Sequence, residues 1–155
     1  RLVGSEMCIR DSNSRLDTLQ AVVALNALGK IKNITKKRIE NSSSLDNKLK
    51  YIKNVKCMKR DKKVKEVFHL YKINLKNKKI RNKVIKILIQ NGIDAKIHYP
   101  TSMHLQPAAK KFGYKRGDFP ITEILSQTSI SLPVHEYINK KDLNLMVELI
   151  KKATS

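Results

Sequence analysis

Apolar residues recur at helical spacing through the first third of the chain. Ser14 and Asp17 are spaced like a helix-capping pair, and the series after them runs to Gly29, which predicts a helix of about three to four turns. A second series follows with Lys and Arg on its other positions, and we expect one bent helix or two consecutive helices there. The two series are Leu16, Leu19, Val22, Val23 and Leu28, and then Ile31, Ile34, Ile39, Leu45, Leu49 and Ile52.

The pattern becomes strand-like in the middle of the chain. Residues 55–58 predict a short strand, the lysine-rich residues 59–65 a solvated turn, and residues 67–75 a longer strand, because β-branched and aromatic side chains dominate there. Apolar residues occupy both faces of the longer strand, which predicts a central position in the sheet. Those faces are Tyr71, Ile73 and Leu75 on one side and Phe68 and Leu70 on the other.

Short helices and strands then alternate to the end of the chain. Helical spacing over residues 80–88 stops at Asn91-Gly92, which predicts a left-handed cap, and a final helix is expected after the N-cap candidate Asn139. Together these elements predict an α+β fold. The remaining predicted elements are a strand at 95–99, a helix at 105–112, a turn at 117–120, a helix at 122–128 and a strand at 130–133.

Composition favours a globular domain with a strongly basic surface. The chain has 155 residues, 41% of them hydrophobic, and a formal net charge of +20. The basic residues are scattered rather than clustered with aromatic residues, so a solvated surface is favoured over a nucleic-acid-binding module, the rival interpretation. No apolar run is long enough for a membrane span. Cys8 and Cys57 form no metal or disulfide pattern, which fits a cytoplasmic location.

Residues 1–12 resemble translated sequencing-adapter sequence rather than native protein, and they do not begin with methionine. We therefore expect the native sequence to begin at about Asn13, inside a larger protein. The remaining chain divides into a helical segment at 13–52 and a small α/β domain at 53–155.

The polar loop at residues 98–114 is the strongest candidate for a functional site. It combines His98, Tyr99, His104 and Gln106, side chains that can donate and accept hydrogen bonds. Structural roles are the alternatives for two of them: His98 can bond backbone at a strand end, and Gln106 can cap its own helical segment. Two other histidines are expected to be structural, with His69 packed within a strand and His135 on the surface.

Six short blocks of the sequence carry a resemblance to a known family. They are NSRLDTLQA at 13–21, FHLY at 68–71, HYPTSMHLQPA at 98–108, GY at 113–114, GDFP at 117–120 and ISLP at 130–133. In this order they resemble the DegT/DnrJ/StrS family of nucleotide-sugar aminotransferases. This resemblance implies the carboxy-terminal small domain, and the interdomain and dimer helices before it, of the aspartate-aminotransferase-like fold, known as fold type I. It also implies a homodimer that uses pyridoxal 5'-phosphate to transfer an amino group from glutamate to a nucleotide-linked keto sugar.

The resemblance also assigns roles to individual residues. Asn13 would reach the cofactor phosphate of the partner subunit, and Arg15 would pair with a cofactor or nucleotide phosphate; helix capping is the alternative role for this segment. The rim of the active site would be formed by His98, Tyr99, His104 and Gln106, with His104 the first candidate for a substrate contact.

Three further expectations follow from the same resemblance. The lysine that forms the Schiff base lies upstream of the matched blocks in that family, so this chain alone is expected to be inactive, and a sugar dehydratase with histidine at that position stays an alternative. Ser102-Met103 replaces the usual proline and leucine, so the sugar-facing wall is expected to differ. Apolar side chains at 16–28 are expected to be exposed in the isolated chain. The implied pathway is the synthesis of cell-surface polysaccharide or lipopolysaccharide sugars.

Overall fold

The computed structural model describes residues 17–61 and 63–154. Asn13, Ser14, Arg15 and Leu16 lie outside the described residues. The chain divides after Asn33 into two compact units, and the long helix α1, Thr18–Leu49, belongs to both. The predicted limits of the segments 1–12, 13–52 and 53–155 stay a prediction.

Helix α1 runs without a break through Gly29, so the predicted end of a first helix at this residue is wrong. A glycine inside a helix costs only about 1 kcal/mol relative to alanine, and the good helix formers around it outweigh that cost. The helix begins with a reciprocal cap: the Asp17 carboxylate accepts from the Leu19 N–H, and the Gln20 side chain accepts from the Asp17 N–H, both at 3.3 Å.

The first half of α1 carries an apolar stripe that is open to solvent. Five of its large apolar residues have exposed fractions between 59% and 75%. The prediction of exposed apolar surface is therefore confirmed for the part of this segment that the structure describes. The residues are Leu19, Val22, Val23, Leu25 and Leu28.

Three antiparallel strands form the sheet in the order β1-β2-β3, with β1 at Val55–Cys57, β2 at Tyr71–Leu75 and β3 at Ser129–Leu132. The central position predicted for β2 is confirmed. Tyr71, Ile73 and Leu75 are buried on alternating positions.

The strand predicted over 67–75 is shorter than expected because it starts only at Tyr71. Phe68 has a positive φ of 53°, a left-handed conformation that interrupts extended backbone. The prediction for His69 is wrong as a result: it lies outside the strand and its side chain is exposed. His135 is exposed, as predicted.

Helices α2 (Lys78–Gln90), α3 (Pro120–Thr128) and α4 (Lys140–Thr154) complete the fold. The Asn77 side chain caps α2 by accepting from the Ile80 N–H at 2.9 Å, and Gly92 beyond its other end has the predicted left-handed φ of 77°. Asn139 caps α4 as predicted, accepting from two backbone N–H groups.

The strand predicted at 95–99 is reduced to a single bridge. The Lys96 N–H donates to the Ser131 carbonyl at 3.0 Å and the Ser131 N–H returns a bond at 2.8 Å. Pro100 follows closely and has no N–H to extend a ladder. The predicted β-helix-β unit is therefore wrong in its last element.

One hydrophobic core joins the end of α1 to the sheet and the other helices. Helix α2 packs against α4, and both contribute fully buried side chains. Burial of each such side chain contributes about 1.5–3 kcal/mol. The largest fully buried apolar residues are Leu45, Leu49, Tyr71, Ile73, Val84, Leu88, Ile130, Leu132, Met146 and Ile150.

Asp46 holds the segment between β1 and β2 against α1. Its carboxylate accepts from Arg60 Nε and Nη2 at 3.1 and 3.3 Å and from the Tyr71 hydroxyl at 2.6 Å. Arg60 also donates to Glu66 at 2.9 Å and lies over the Phe68 ring. Burial, reinforced by the bond to Asp46, raises the pKa of Tyr71. The predicted solvated turn is therefore tied to the domain at Arg60.

Candidate functional site

The polar loop leaves the sheet after Lys96 and contains two short 3₁₀ helices, Met103–Leu105 and Pro107–Phe112. They replace the single helix predicted at 105–112. Gln106 separates them in an extended conformation, because a residue before proline is driven out of the helical region. Gly113 ends the second one with a left-handed φ of 76°.

Two side chains fasten the first part of the loop to its neighbours. His98 Nδ1 lies 3.2 Å from the Ser131 hydroxyl on β3, so this histidine bonds a side chain and not the backbone partner considered from sequence. The buried Ser102 donates to the Ser126 hydroxyl at 3.2 Å, and Ser126 donates to the Glu123 carbonyl at 2.8 Å. The peptide bond between His98 and Tyr99 is cis.

Glu123 on α3 forms hydrogen bonds with the second part of the loop. Its Oε1 accepts from the Gly117 N–H at 2.7 Å and lies 3.2 Å from Nε2 of His104. The two side chains are 7% and 11% exposed, so the pair is largely shielded from water. The Gly117 N–H, followed by the bond to His104, lowers the pKa of Glu123.

An aromatic row borders this pair. The Phe119 ring lies 4.8 Å from the His104 ring and 5.1 Å from the Tyr114 ring, in tilted and edge-on arrangements. Both Phe119 and Tyr114 keep a large exposed fraction, 41% and 50%. The loop therefore offers an apolar surface beside its polar groups.

The four predicted substrate contacts differ in accessibility. Tyr99 is 63% exposed, together with exposed Pro100 and Thr101, and these three residues form the exposed tip of the loop. Gln106 is half-buried and its amide donates to the Met103 sulfur at 3.4 Å. Its side chain makes no capping bond, so the helix-capping alternative is wrong.

Two cavities of the domain lie away from this loop. One of about 560 Å³ lies between the end of α1 and α4 and includes Lys48 and Tyr51 in its lining. Another, of about 380 Å³, lies beside β1 and includes Asn74 and Thr128. Neither is lined by a residue of the loop.

Three further observations concern the predicted cofactor contacts, metal binding and membrane-spanning helices. Asn13 and Arg15, the predicted cofactor contacts, lie outside the described residues. Within residues 17–61 and 63–154 no cluster of three or more His, Cys, Asp or Glu could hold a metal ion. In the same part of the chain, no helix has the length and apolarity needed to cross a bilayer.

Sequence analysis missed Glu123, the residue that organises the loop. One signal was available, because Glu123 is the only acidic residue between Asp118 and Glu136. An isolated carboxylate in a stretch with no Lys or Arg and many apolar residues is unusual unless it has partners. Its partners His104 and Gly117 are 19 and 6 residues away, so local patterns did not reveal them.

Comparison with known proteins gives the affiliation of the chain. It is 27% identical over 143 residues to the erythromycin biosynthesis sensory transduction protein EryC1 of Saccharopolyspora erythraea, covering 92% of this chain and 38% of that protein. It is 27% identical over 151 residues to the dTDP-3-amino-3,6-dideoxy-alpha-D-galactopyranose transaminase of Aneurinibacillus thermoaerophilus, covering 95% and 39%. The chain thus spans well under half the length of these relatives.

A solved structure supports the same affiliation. The crystal structure of a DegT DnrJ EryC1 StrS aminotransferase from Brucella abortus matches with a TM-score of 0.82 and 29% identity, covering 92% of this chain and 37% of that one. The predicted fold class, the α+β carboxy-terminal part of fold type I aminotransferases, is confirmed. The sequence model of the DegT/DnrJ/EryC1/StrS aminotransferase family matches residues 4–151, and the chain belongs to this family.

Proposed function

We propose that this chain forms part of an enzyme that transfers an amino group from glutamate to a nucleotide-linked keto sugar. The observation that carries the proposal is the family match over residues 4–151, together with relatives that include a dTDP-amino-sugar transaminase. The chain matches only part of those relatives, and we propose that the Schiff-base lysine lies in another part of the enzyme. On that basis the isolated chain is inactive.

The cofactor of the proposed enzyme is pyridoxal 5'-phosphate, which supplies an electron sink for amino transfer. Among the described residues, the buried polar side-chain atoms without hydrogen-bond partners belong to Ser42 and Arg81, which lie outside the loop. The loop therefore offers no unpartnered buried side-chain atom to hold the cofactor phosphate. We propose Asn13 and Arg15 as the contacts that this chain contributes, in a homodimer. No step of the reaction is assigned to the described residues through the cofactor.

The loop supplies a wall against which the nucleotide sugar binds. Tyr99 at the exposed tip presents a phenol that can donate to a sugar hydroxyl or a diphosphate oxygen. His98 directly precedes the tip and Gln106 follows it by five residues, and both side chains are half-buried. His104 has Nε2 bonded to Glu123, so any substrate bond uses its other ring nitrogen, Nδ1.

Binding of a nucleotide sugar to the chain tests the wall directly. Thymidine diphosphate glucose, titrated to millimolar concentration, is expected to shift the amide resonances of residues 98–119. Tyr99→Phe should weaken this binding roughly tenfold to a hundredfold, since one hydrogen bond to a charged group is worth about 1.5–3 kcal/mol. Tyr137→Phe is the matched control, because Tyr137 is 84% exposed and lies outside the loop. Equal binding by both variants would contradict the role of Tyr99.

The reaction itself is tested on the enzyme extended by the upstream coding sequence. An aminotransferase converts one glutamate to 2-oxoglutarate for each amino sugar formed. Turnover of the keto sugar without glutamate would instead support the dehydratase alternative. An upstream sequence that encodes an unrelated domain with no lysine for the cofactor would refute both.

A further inference from the structure

The carboxylate of Glu123 joins two parts of the loop that are distant in sequence. Its Oε1 receives the Gly117 N–H at 2.7 Å and lies 3.2 Å from His104 Nε2, while Glu123 itself is only 8% exposed. Hydrogen bonds to an ionised acceptor are roughly twice as strong as neutral ones. These contacts therefore act as a strong fastening between the loop and α3.

The main chain of Glu123 adds a third connection. Its carbonyl accepts from Ser126 Oγ at 2.8 Å, and Ser126 in turn accepts from Ser102 at 3.2 Å. On the other side of the tip, His98 is bonded to Ser131 on β3. Both ends of the exposed tip, residues 99–101, are thus fixed to ordered elements, one to β3 through His98 and the other to α3 through Ser102.

We propose that Glu123 is a positioning residue that fastens the loop to α3 and so presents the tip in one orientation. The carboxylate suits this role because one oxygen accepts from both an amide and an imidazole. It also determines the ring orientation of His104, because Nε2 is directed at Glu123 and Nδ1 is left for another ligand. The positioning role of Glu123 is independent of the proposed function. Only the claim that the tip contacts a nucleotide sugar rests on that function.

Amide hydrogen exchange on the chain tests this inference without any ligand. Glu123→Ala is expected to accelerate exchange of the Gly117 amide roughly tenfold to a hundredfold, the range for losing a charge-assisted bond. The amides of Leu105 and Gln106, which close the first 3₁₀ helix, should accelerate with it. Core amides such as Ile73 should keep their exchange rates, because the loop opens locally.

Two further variants separate positioning from general stability. Glu123→Gln keeps an oxygen acceptor without charge, so it is expected to keep only part of the protection and to shift the ring ¹⁵N resonances of His104. Glu148→Ala removes an exposed helical carboxylate on α4 and should leave the loop unchanged. Should Glu123→Ala fail to fold, the partial loss in Glu123→Gln still measures the fastening.

Unchanged loop exchange in Glu123→Ala, or in Glu123→Gln where only that variant folds, would overturn the proposal. Parallel acceleration of loop and core amides would overturn it as well, since this is the signature of a purely structural role. If the loop loosens as expected but wild-type chain binds no nucleotide sugar, positioning stands and the proposed function fails.

Discussion

Replacing Arg81 by methionine is expected to stabilise the chain. Arg81 lies on α2 and is 4% exposed, and its Nε and Nη1 atoms are buried without a hydrogen-bond partner among the described residues. Burial lowers the pKa of this guanidinium, and no carboxylate in the described part of the chain counteracts it. The side chain is therefore a buried cation whose removal relieves a desolvation cost.

The magnitude follows from the two unpartnered nitrogen atoms. One buried, unsatisfied donor costs about 1–3 kcal/mol. Methionine retains an unbranched apolar chain over most of the arginine stem and has similar helix propensity, so the packing loss is expected to be under about 1.5 kcal/mol. Two such donors together cost about 2–6 kcal/mol, so the net expectation after the packing loss is a gain of about 0.5–6 kcal/mol in the free energy of unfolding.

Urea unfolding followed by circular dichroism measures this change. Lys83→Met is the matched control, because Lys83 lies on the same helix, is exposed and carries the same charge. It corrects for the reduced repulsion in a chain of net charge +20. A loss of more than about 1 kcal/mol in Arg81→Met relative to the control would refute the reasoning, since it would show that the guanidinium is satisfied in solution.

Three other changes have outcomes that follow from single contacts. Tyr71→Phe removes a 2.6 Å bond to Asp46 and should lower the free energy of unfolding by about 1.5–3 kcal/mol in the same urea assay. Asn77→Ala removes the N-cap of α2 and should cost about 1 kcal/mol, with Asn47→Ala, inside α1, as the comparison. Glu123, which faces His104 and Arg116, has a lowered folded-state pKa. Its stabilising effect should therefore be complete above its unfolded pKa of about 4.3 and lost as pH falls through the folded value. Exchange of the Gly117 amide, corrected for its intrinsic pH dependence, should show this loss in wild type and not in Glu123→Gln.

Local patterns predicted most of the elements but not their limits. Caps at Gly92 and Asn139 act on neighbouring backbone groups, so a few residues were enough to place those helix ends. Gly29 shows the opposite case, because the same residue type lies inside a helix when no left-handed turn follows it. The start of β2 depended on the left-handed backbone at Phe68, and β-propensity alone gave no sign of it.

The candidate site was located from sequence, but its internal contacts were not. The bonds that fix the loop join residues 19, 24 and 33 positions apart, between His104 and Glu123, Ser102 and Ser126, and His98 and Ser131. Such pairings depend on how α3 and β3 return beside the loop. Periodicity and turn chemistry describe only neighbours along the chain, so they contain no information about these pairs.

These contacts show that the polar residues of the loop have two different roles, anchoring the loop and binding a ligand, which composition alone did not distinguish. A loop with two histidines, a tyrosine and a glutamine suggested several equivalent binding groups, yet His98 and His104 each use a ring nitrogen to hold the loop in place. Tyr99 lies between the fixed points with most of its surface exposed. A histidine that anchors a loop and a tyrosine that the loop presents respond differently to mutation: loss of the first should change loop exchange and binding together, and loss of the second should change binding alone. Hydrogen exchange and nucleotide-sugar titration on His104→Ala and Tyr99→Phe therefore distinguish these two roles within one loop.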